Sequence, residues 1–220
     1  MKVILFGATG MVGQGVLREC LRDPGVERVL SIGRSRTGVA DAKLDEIVHG
    51  DLWQYGAIEP QMAGYDACFF CLGVSSGGMR PEDYERITYG ITMAAAETLA
   101  RLNPRMTFVY VSGAGTDSSE IGRIRWARVK GRTENALLRL PFRAYMFRPG
   151  LIQPLHGIRS KTFWYRLFYT LAGPLVPLLR GAFPNLILTT EQIGRAMIAA
   201  ARKGASKRVL ESRDIRELSG

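Results

Sequence analysis

The segment GATGMVG at residues 7–13 constrains this chain more than any other feature. It follows directly on KVILF, a short apolar run with the character of a buried strand, and it opens a stretch in which Val12, Val16 and Cys20 recur at helical spacing. Leu17 and Leu21 widen the same stripe. A strand, a glycine turn and an amphipathic helix in that order form a βα unit. Gly7 permits the tight turn, Gly10 lets a ligand approach the backbone, and Gly13 lets the helix pack closely on the strand. The helix N-terminus adds amide donors and a partial positive charge, so the turn suits a phosphate or pyrophosphate.

The rest of the pattern is strand and helix in alternation. Apolar runs at residues 28–32 and 46–49 read as two further strands, and residues 67–72 are apolar throughout, as in a parallel strand covered on both faces. Residues 81–102 predict one long helix, with Pro81 in its first turn and Tyr84, Ile87, Ile91, Ala95, Leu99 and Leu102 along its apolar face. A fifth strand at 107–112, a helix at 125–140 ended by Pro141, and a sixth strand at 143–148 follow. This order predicts an α/β fold with a doubly wound parallel sheet, a Rossmann fold.

After Pro149-Gly150 the texture changes, as prolines 154, 174, 177 and 184 and a cluster of aromatics break the alternation. The chain therefore reads as a single domain with a dinucleotide-binding core over residues 1–150 and a small C-terminal cap over 151–220. Within the cap, residues 191–202 predict a helix with Thr189 or Thr190 as its N-cap, and Val209-Leu210 a short strand. The aromatic and basic run at 163–180 is expected to act as a substrate lid, more mobile than the body when no substrate is bound.

Composition narrows the function classes. With 46% hydrophobic and 23% charged residues in 220, the chain is one globular domain, and a net charge of +10 favours anionic ligands or surfaces. Three cysteines (Cys20, Cys68, Cys71) and an apolar run that stops at Gly7, too short for a secretory signal, argue against a disulfide scaffold and for the cytoplasm. Cys68 and Cys71 form a CxxC, but on a strand they point to opposite faces. His49 and His156 lie far apart, so no dedicated metal site is expected. Residues 135–190 hold no acid, yet carry Arg139, Arg143, Arg148, Arg159, Lys161, Arg166 and Arg180, a field that suits an anionic membrane surface or a protein partner. The uncharged stretch at 167–179 falls short of the roughly 20 residues that span a bilayer. Arg125, Arg128 and Arg132 share a helix face that reads as solvated, and no recognition module supports nucleic-acid binding. Nothing in the pattern specifies an oligomeric state.

At the end of the second strand stand Gly33, Arg34, Ser35 and Arg36, where selectivity for NAD would ordinarily place an acid on the adenosine ribose. Arginine offers a planar fork of donors and serine a hydroxyl, which suits a 2′-phosphate and so NADP(H). Asp51-Leu52, after the third strand, would flank the adenine.

GATGMVG, GRSR, GDL, CLGVSS, WARVKG and FRPG together resemble the atypical or extended short-chain dehydrogenase/reductase superfamily, which includes the NAD-dependent epimerase/dehydratase-like proteins. Within it the likeness is to the Tat-interacting-protein-like, NAD(P)-binding branch, over roughly residues 1–200. The resemblance implies cofactor contacts at Gly7, Thr9, Gly10, Met11, Val12, Arg34, Ser35, Asp51, Leu52, Leu72, Gly73 and Lys130. It places Pro149 and Leu151 beside the nicotinamide, and Thr88 where many relatives carry an asparagine. It also implies a catalytic Tyr and Lys one helical turn apart, with a serine at the end of the fifth strand. Here Lys130 and Ser112 are present, with Gly113 an alternative register for the serine, but Trp126 stands in the tyrosine position. An indole N–H donates a hydrogen bond and does not shuttle protons. Tyr84, Tyr89, Ser75 and Ser76 are the candidate replacements, while Trp126 serves packing or substrate stacking. Two functions follow as expectations: an NADP(H)-dependent oxidoreductase on a small carbonyl substrate, or a catalytically silent NADP(H)-binding module that contacts a membrane or protein partner.

Overall fold

The computed structural model describes residues 1–158 and 187–220. In chain order the strands are β1 (Lys2–Phe6), β2 (Arg28–Gly33), β3 (Leu44–Val48), β4 (Ala67–Phe70), β5 (Thr107–Val111), β6 (Arg143–Arg148), β7 (Leu151–Gln153), β8 (Ile187–Thr189) and β9 (Val209–Glu211). Seven of them form one parallel sheet in the order β3-β2-β1-β4-β5-β6-β9, while β7 and β8 pair in parallel by themselves. The order reverses between β1 and β4, which opens a crevice beyond the carboxyl ends of the strands.

Helices cover both faces. They are α1 (Met11–Arg22), α2 (Glu59–Met62), α3 (Pro81–Glu85), α4 (Thr92–Leu102), α5 (Arg125–Leu138), α6 (Thr190–Lys203) and α7 (Ser212–Leu218). Alternate residues of each strand serve alternate cores. Ile4 and Phe6 of β1 pack with Leu99 of α4 and Leu137 of α5, whereas Val3 and Leu5 pack with Val16 of α1, Ile193 and Met197 of α6, and Ile215 of α7. Cys68 joins the first core and Cys71 packs against the second, the opposite orientation that strand geometry requires.

Two differences from the sequence reading have physical reasons. The helix expected at 81–102 is interrupted by a π-helical turn at Arg86–Ile91, in which Gly90 lies under the Trp53 ring so closely that a Cβ would sit 2.3 Å from it. Residues 187–220, expected in the cap, build the body instead: β9 extends the main sheet beside β6, and α6 packs on α1. The N-cap of α6 is Thr189, whose hydroxyl accepts from the Gln192 amide at 3.0 Å while the Gln192 side chain accepts from the Thr189 amide at 2.9 Å. The expected lid at 163–180 lies outside the described residues.

The arginine field is also partly neutralised. Arg148 of β6 pairs with Glu134 of α5 and reaches Glu211 of β9 at 3.4 Å. Arg132 pairs with Glu85 at 2.6 Å and lies over the Tyr89 ring, and Arg128 donates to the Gly122 carbonyl, so only part of that helix face is solvated.

Candidate functional site

A cleft of about 1100 Å³ runs across the carboxyl ends of the central strands. Its floor is the glycine turn. Gly7 has φ of +80°, and a Cβ there would come within 2.6 Å of the Leu72 amide; at Gly13 a Cβ would meet the Gly7 carbonyl oxygen at 2.0 Å. The turn therefore closes only with glycine at these positions. Gly10 caps α1 with extended backbone, no side chain caps the helix, and its first turn holds no acid. The first-turn amides of Met11 and Val12, both at the cleft wall, are thus left without a helical acceptor, which is the chemistry a pyrophosphate needs.

The other walls come from successive strand ends. Gly33, Arg34 and Ser35 close one end, and Arg34 is exposed with no ion-pair partner among the described residues. Glu46 of β3 accepts from the Thr37 amide at 2.6 Å. Leu52, Leu72 and Gly73 line the middle, and Pro149 and Leu151 line the far side with Gly150 and Ile152. Thr9, Gly10, Met11 and Val12 also line the cleft. Two expected contacts do not reach the cleft. Asp51 turns back to accept from the Trp53 amide at 2.9 Å, and Thr88 is buried in the π-helical turn, where its carbonyl accepts from the Thr92 hydroxyl at 2.7 Å.

At the far end Ser112, Trp126 and Lys130 meet, together with Tyr84 of α3 and the Ser75 and Ser76 hydroxyls. Lys130 donates to the Ser112 carbonyl, and burial pushes its ammonium from the usual lysine range down to about 8, opposed in part by Glu134. The Ser112 side chain is committed elsewhere: its hydroxyl donates to Glu134 Oε1 at 2.5 Å, with the Phe147 carbonyl 3.1 Å away. Gly113, the alternative register, also lines the cleft. Tyr84 is the one tyrosine at the cleft wall among the described residues, and burial raises its phenol above the ordinary value. Tyr89 is not in the cleft; its ring lies 4.5 Å beneath the Arg132 guanidinium.

Glu134 and Arg148 are the residues sequence reasoning missed. Their signal was present: Glu134 stands one turn beyond Lys130, as Lys130 stands one turn beyond Trp126, and it is the last acid before the acid-free stretch that contains Arg148.

A parallel Rossmann sheet with a glycine turn and an open helix N-terminus at the switch in strand order is the architecture of a dinucleotide-binding fold. Residues 7–139 match the NAD(P)H-binding family, and the chain belongs to it. It is similar to Protein FMP52-2, mitochondrial, of Scheffersomyces stipitis, with 29% identity over 151 residues that cover 67% of this chain and 65% of that protein. It is also similar to Protein FMP52, mitochondrial, of Eremothecium gossypii, with 27% identity over 99% of this chain and 97% of the relative. Among solved structures, the dTDP-glucose 4,6-dehydratase DesIV of Streptomyces venezuelae, crystallised with NAD and TYD bound, shares the fold with a TM-score of 0.70 at 14% identity, over 100% of this chain and 80% of that one. The relatives' mitochondrial naming overturns the cytoplasmic placement drawn from the cysteines and the short apolar start. A reducing environment reads the same in either compartment, so cysteine usage had no power to choose.

Proposed function

We propose that the protein is an NADP(H)-dependent oxidoreductase acting on a small carbonyl substrate, and that it works in mitochondria as its FMP52 relatives are named to do. The observation that carries this reading is one continuous cleft with an unpaired arginine at the adenosine end and a buried lysine at the other. NADP(H) bound there supplies or accepts a hydride. The first-turn amides of α1 hold the pyrophosphate, Arg34 and Ser35 take the 2′-phosphate, Leu52 and Leu72 cover the adenine, and Pro149 and Leu151 flank the nicotinamide. Lys130 donates to the ribose hydroxyls from its place beside the Ser112 carbonyl. Trp126, Tyr84, Ser75 and Ser76 bound the space left for the substrate.

The test is cofactor preference. A charge-assisted phosphate contact is worth about 1.5–3 kcal/mol, so NADPH is expected to bind roughly tenfold to a hundredfold more tightly than NADH. Arg34→Asp should narrow or invert that ratio, as read by calorimetry; equal affinities of the unaltered protein for the two nucleotides would remove the NADP(H) assignment. A second reading, an NADP(H)-binding module without turnover, is favoured by the same cleft, because the tyrosine position holds Trp126 and the Ser112 hydroxyl is turned to Glu134.

A further inference from the structure

Beneath the cleft lies a charged network that the cofactor contacts do not use. Glu134 is completely buried, and Arg148 is 12% exposed. The guanidinium grips the carboxylate with two nitrogens, Nε on Oε1 at 3.0 Å and Nη2 on Oε2, and also donates to the Ser118 hydroxyl and to Glu211. The carboxylate in turn accepts from the Ser112 hydroxyl. Ser112 is thereby held at three points, since its amide donates to the Phe147 carbonyl at 2.9 Å and its own carbonyl accepts from Lys130. An ion pair taken out of water costs more than it returns unless its geometry is excellent, and a network of this kind placed under a cleft calls for a use beyond stability.

We propose that Glu134 is a positioning residue: its carboxylate, clamped by Arg148, fixes the Ser112 segment on which Lys130 rests and keeps the Lys130 ammonium charged in a buried place. This rests on reading Lys130 as a cofactor contact. Lys130 is faced on its own helix by Trp126 and Glu134 and from β5 by the Ser112 carbonyl. Tyr84 of α3 and Cys71 beyond β4 share its cleft, both with their protons held on by burial, so they add no charge there at neutral pH. Arg148 of β6 and Glu211 of β9 lie behind Glu134. Glu134 is thus the anion that opposes the loss of the lysine proton, and the Arg148 guanidinium paired with it offsets part of its charge. A lysine that sheds its proton loses one of its three N–H donors and keeps two uncharged, weaker ones, and a ribose contact weakens with it.

The experiment follows the Lys130 side chain by NMR in the cofactor-free full-length protein with labelled lysines, identified by its loss in Lys130→Met, as pH is raised from 6 to 10.5. NADPH affinity is measured over the same range. In the unaltered protein the midpoint is expected near 8, with NADPH affinity falling as pH rises through it. Glu134→Gln keeps an acceptor for Ser112 but removes the charge, and should lower the midpoint by about one unit or more and weaken NADPH about tenfold at pH 8. Arg148→Gln should move the midpoint the other way. If Glu134→Gln does not fold, Arg148→Gln and the double Glu134→Gln/Arg148→Gln variant, which removes both charges of the ion pair, decide by the same readout, the double lying below the unaltered protein. Midpoints that stay fixed, or that shift in the same direction in the two single variants, overturn the proposal. Midpoints that shift as expected while NADPH affinity ignores pH uphold the positioning role and remove Lys130 from the cofactor site.

Discussion

Replacing Trp126 with tyrosine is expected to raise NADPH-dependent reduction of small aldehydes and ketones by about a hundredfold to ten-thousandfold, the range general-acid help contributes. Trp126 and Lys130 lie one turn apart on α5, and both face the cleft. A phenol introduced there stands beside an ammonium, which lowers its pKa and suits it to pass a proton to a substrate oxygen. Cofactor affinity should change little, because Lys130, the α1 amides and Arg34 are untouched. The unaltered protein should therefore bind NADPH well and turn over slowly. A native acid elsewhere in the cleft gives a different result. Tyr84 then becomes the residue to remove: Tyr84→Phe abolishes a brisk native rate, and Trp126→Tyr leaves it flat or lower. Ser112 is poorly placed for that part, since its one hydroxyl proton points to Glu134. Steady-state NADPH oxidation over a small carbonyl panel separates these outcomes.

Gly13→Ala should damage fold and site together. The added Cβ would lie 2.0 Å from the Gly7 carbonyl oxygen, and both clashing groups belong to backbone, so α1 must move off β1 or the turn must open. Overpacking of this severity costs about 3 kcal/mol, which for a domain of this size lowers Tm by roughly 6–12 °C. Opening the turn displaces the first-turn amides, and NADPH affinity should fall at least a hundredfold, two steps of about 1.4 kcal/mol. Gly73→Ala is the control. Nothing lies within 4 Å of its Cβ position, so stability should hold while any loss of affinity reports contact with the cofactor alone. Thermal melts and calorimetry on the two variants would contradict this view of the turn if Gly13→Ala melted and bound like the unaltered protein.

Much of this architecture was legible because its causes are local. KVILF before GATGMVG fixes a strand, a turn and a helix within about twenty residues, and the alternation that follows leaves few topologies other than a doubly wound sheet. Arg34 was legible from its place at the end of the second strand, whereas Leu72, Lys130 and Pro149 followed from the resemblance, and all four line the cleft. What escaped was set by distant partners. The π-helical turn at Arg86–Ile91 holds Thr88 buried and Gly90 against the ring of Trp53, which comes from a separate loop. The Glu134–Arg148 pair joins residues on different elements: the turn-by-turn spacing along α5 marks Glu134, but nothing within β6 marks Arg148 as its partner. Val209-Leu210 was legible as a short strand, but its pairing with β6, some sixty residues earlier in the chain, was not.

Calorimetric titration of NADPH into the unaltered full-length protein, repeated with Lys130→Met, is the decisive measurement. The expected result is saturable binding at one site per chain, weakened in Lys130→Met by about tenfold or more, as the loss of a charged hydrogen-bond donor requires. Absence of saturable binding for both NADPH and NADH, or binding that Lys130→Met leaves unchanged, would contradict the assignment of the 1100 Å³ cleft as a dinucleotide site with Lys130 at its reacting end.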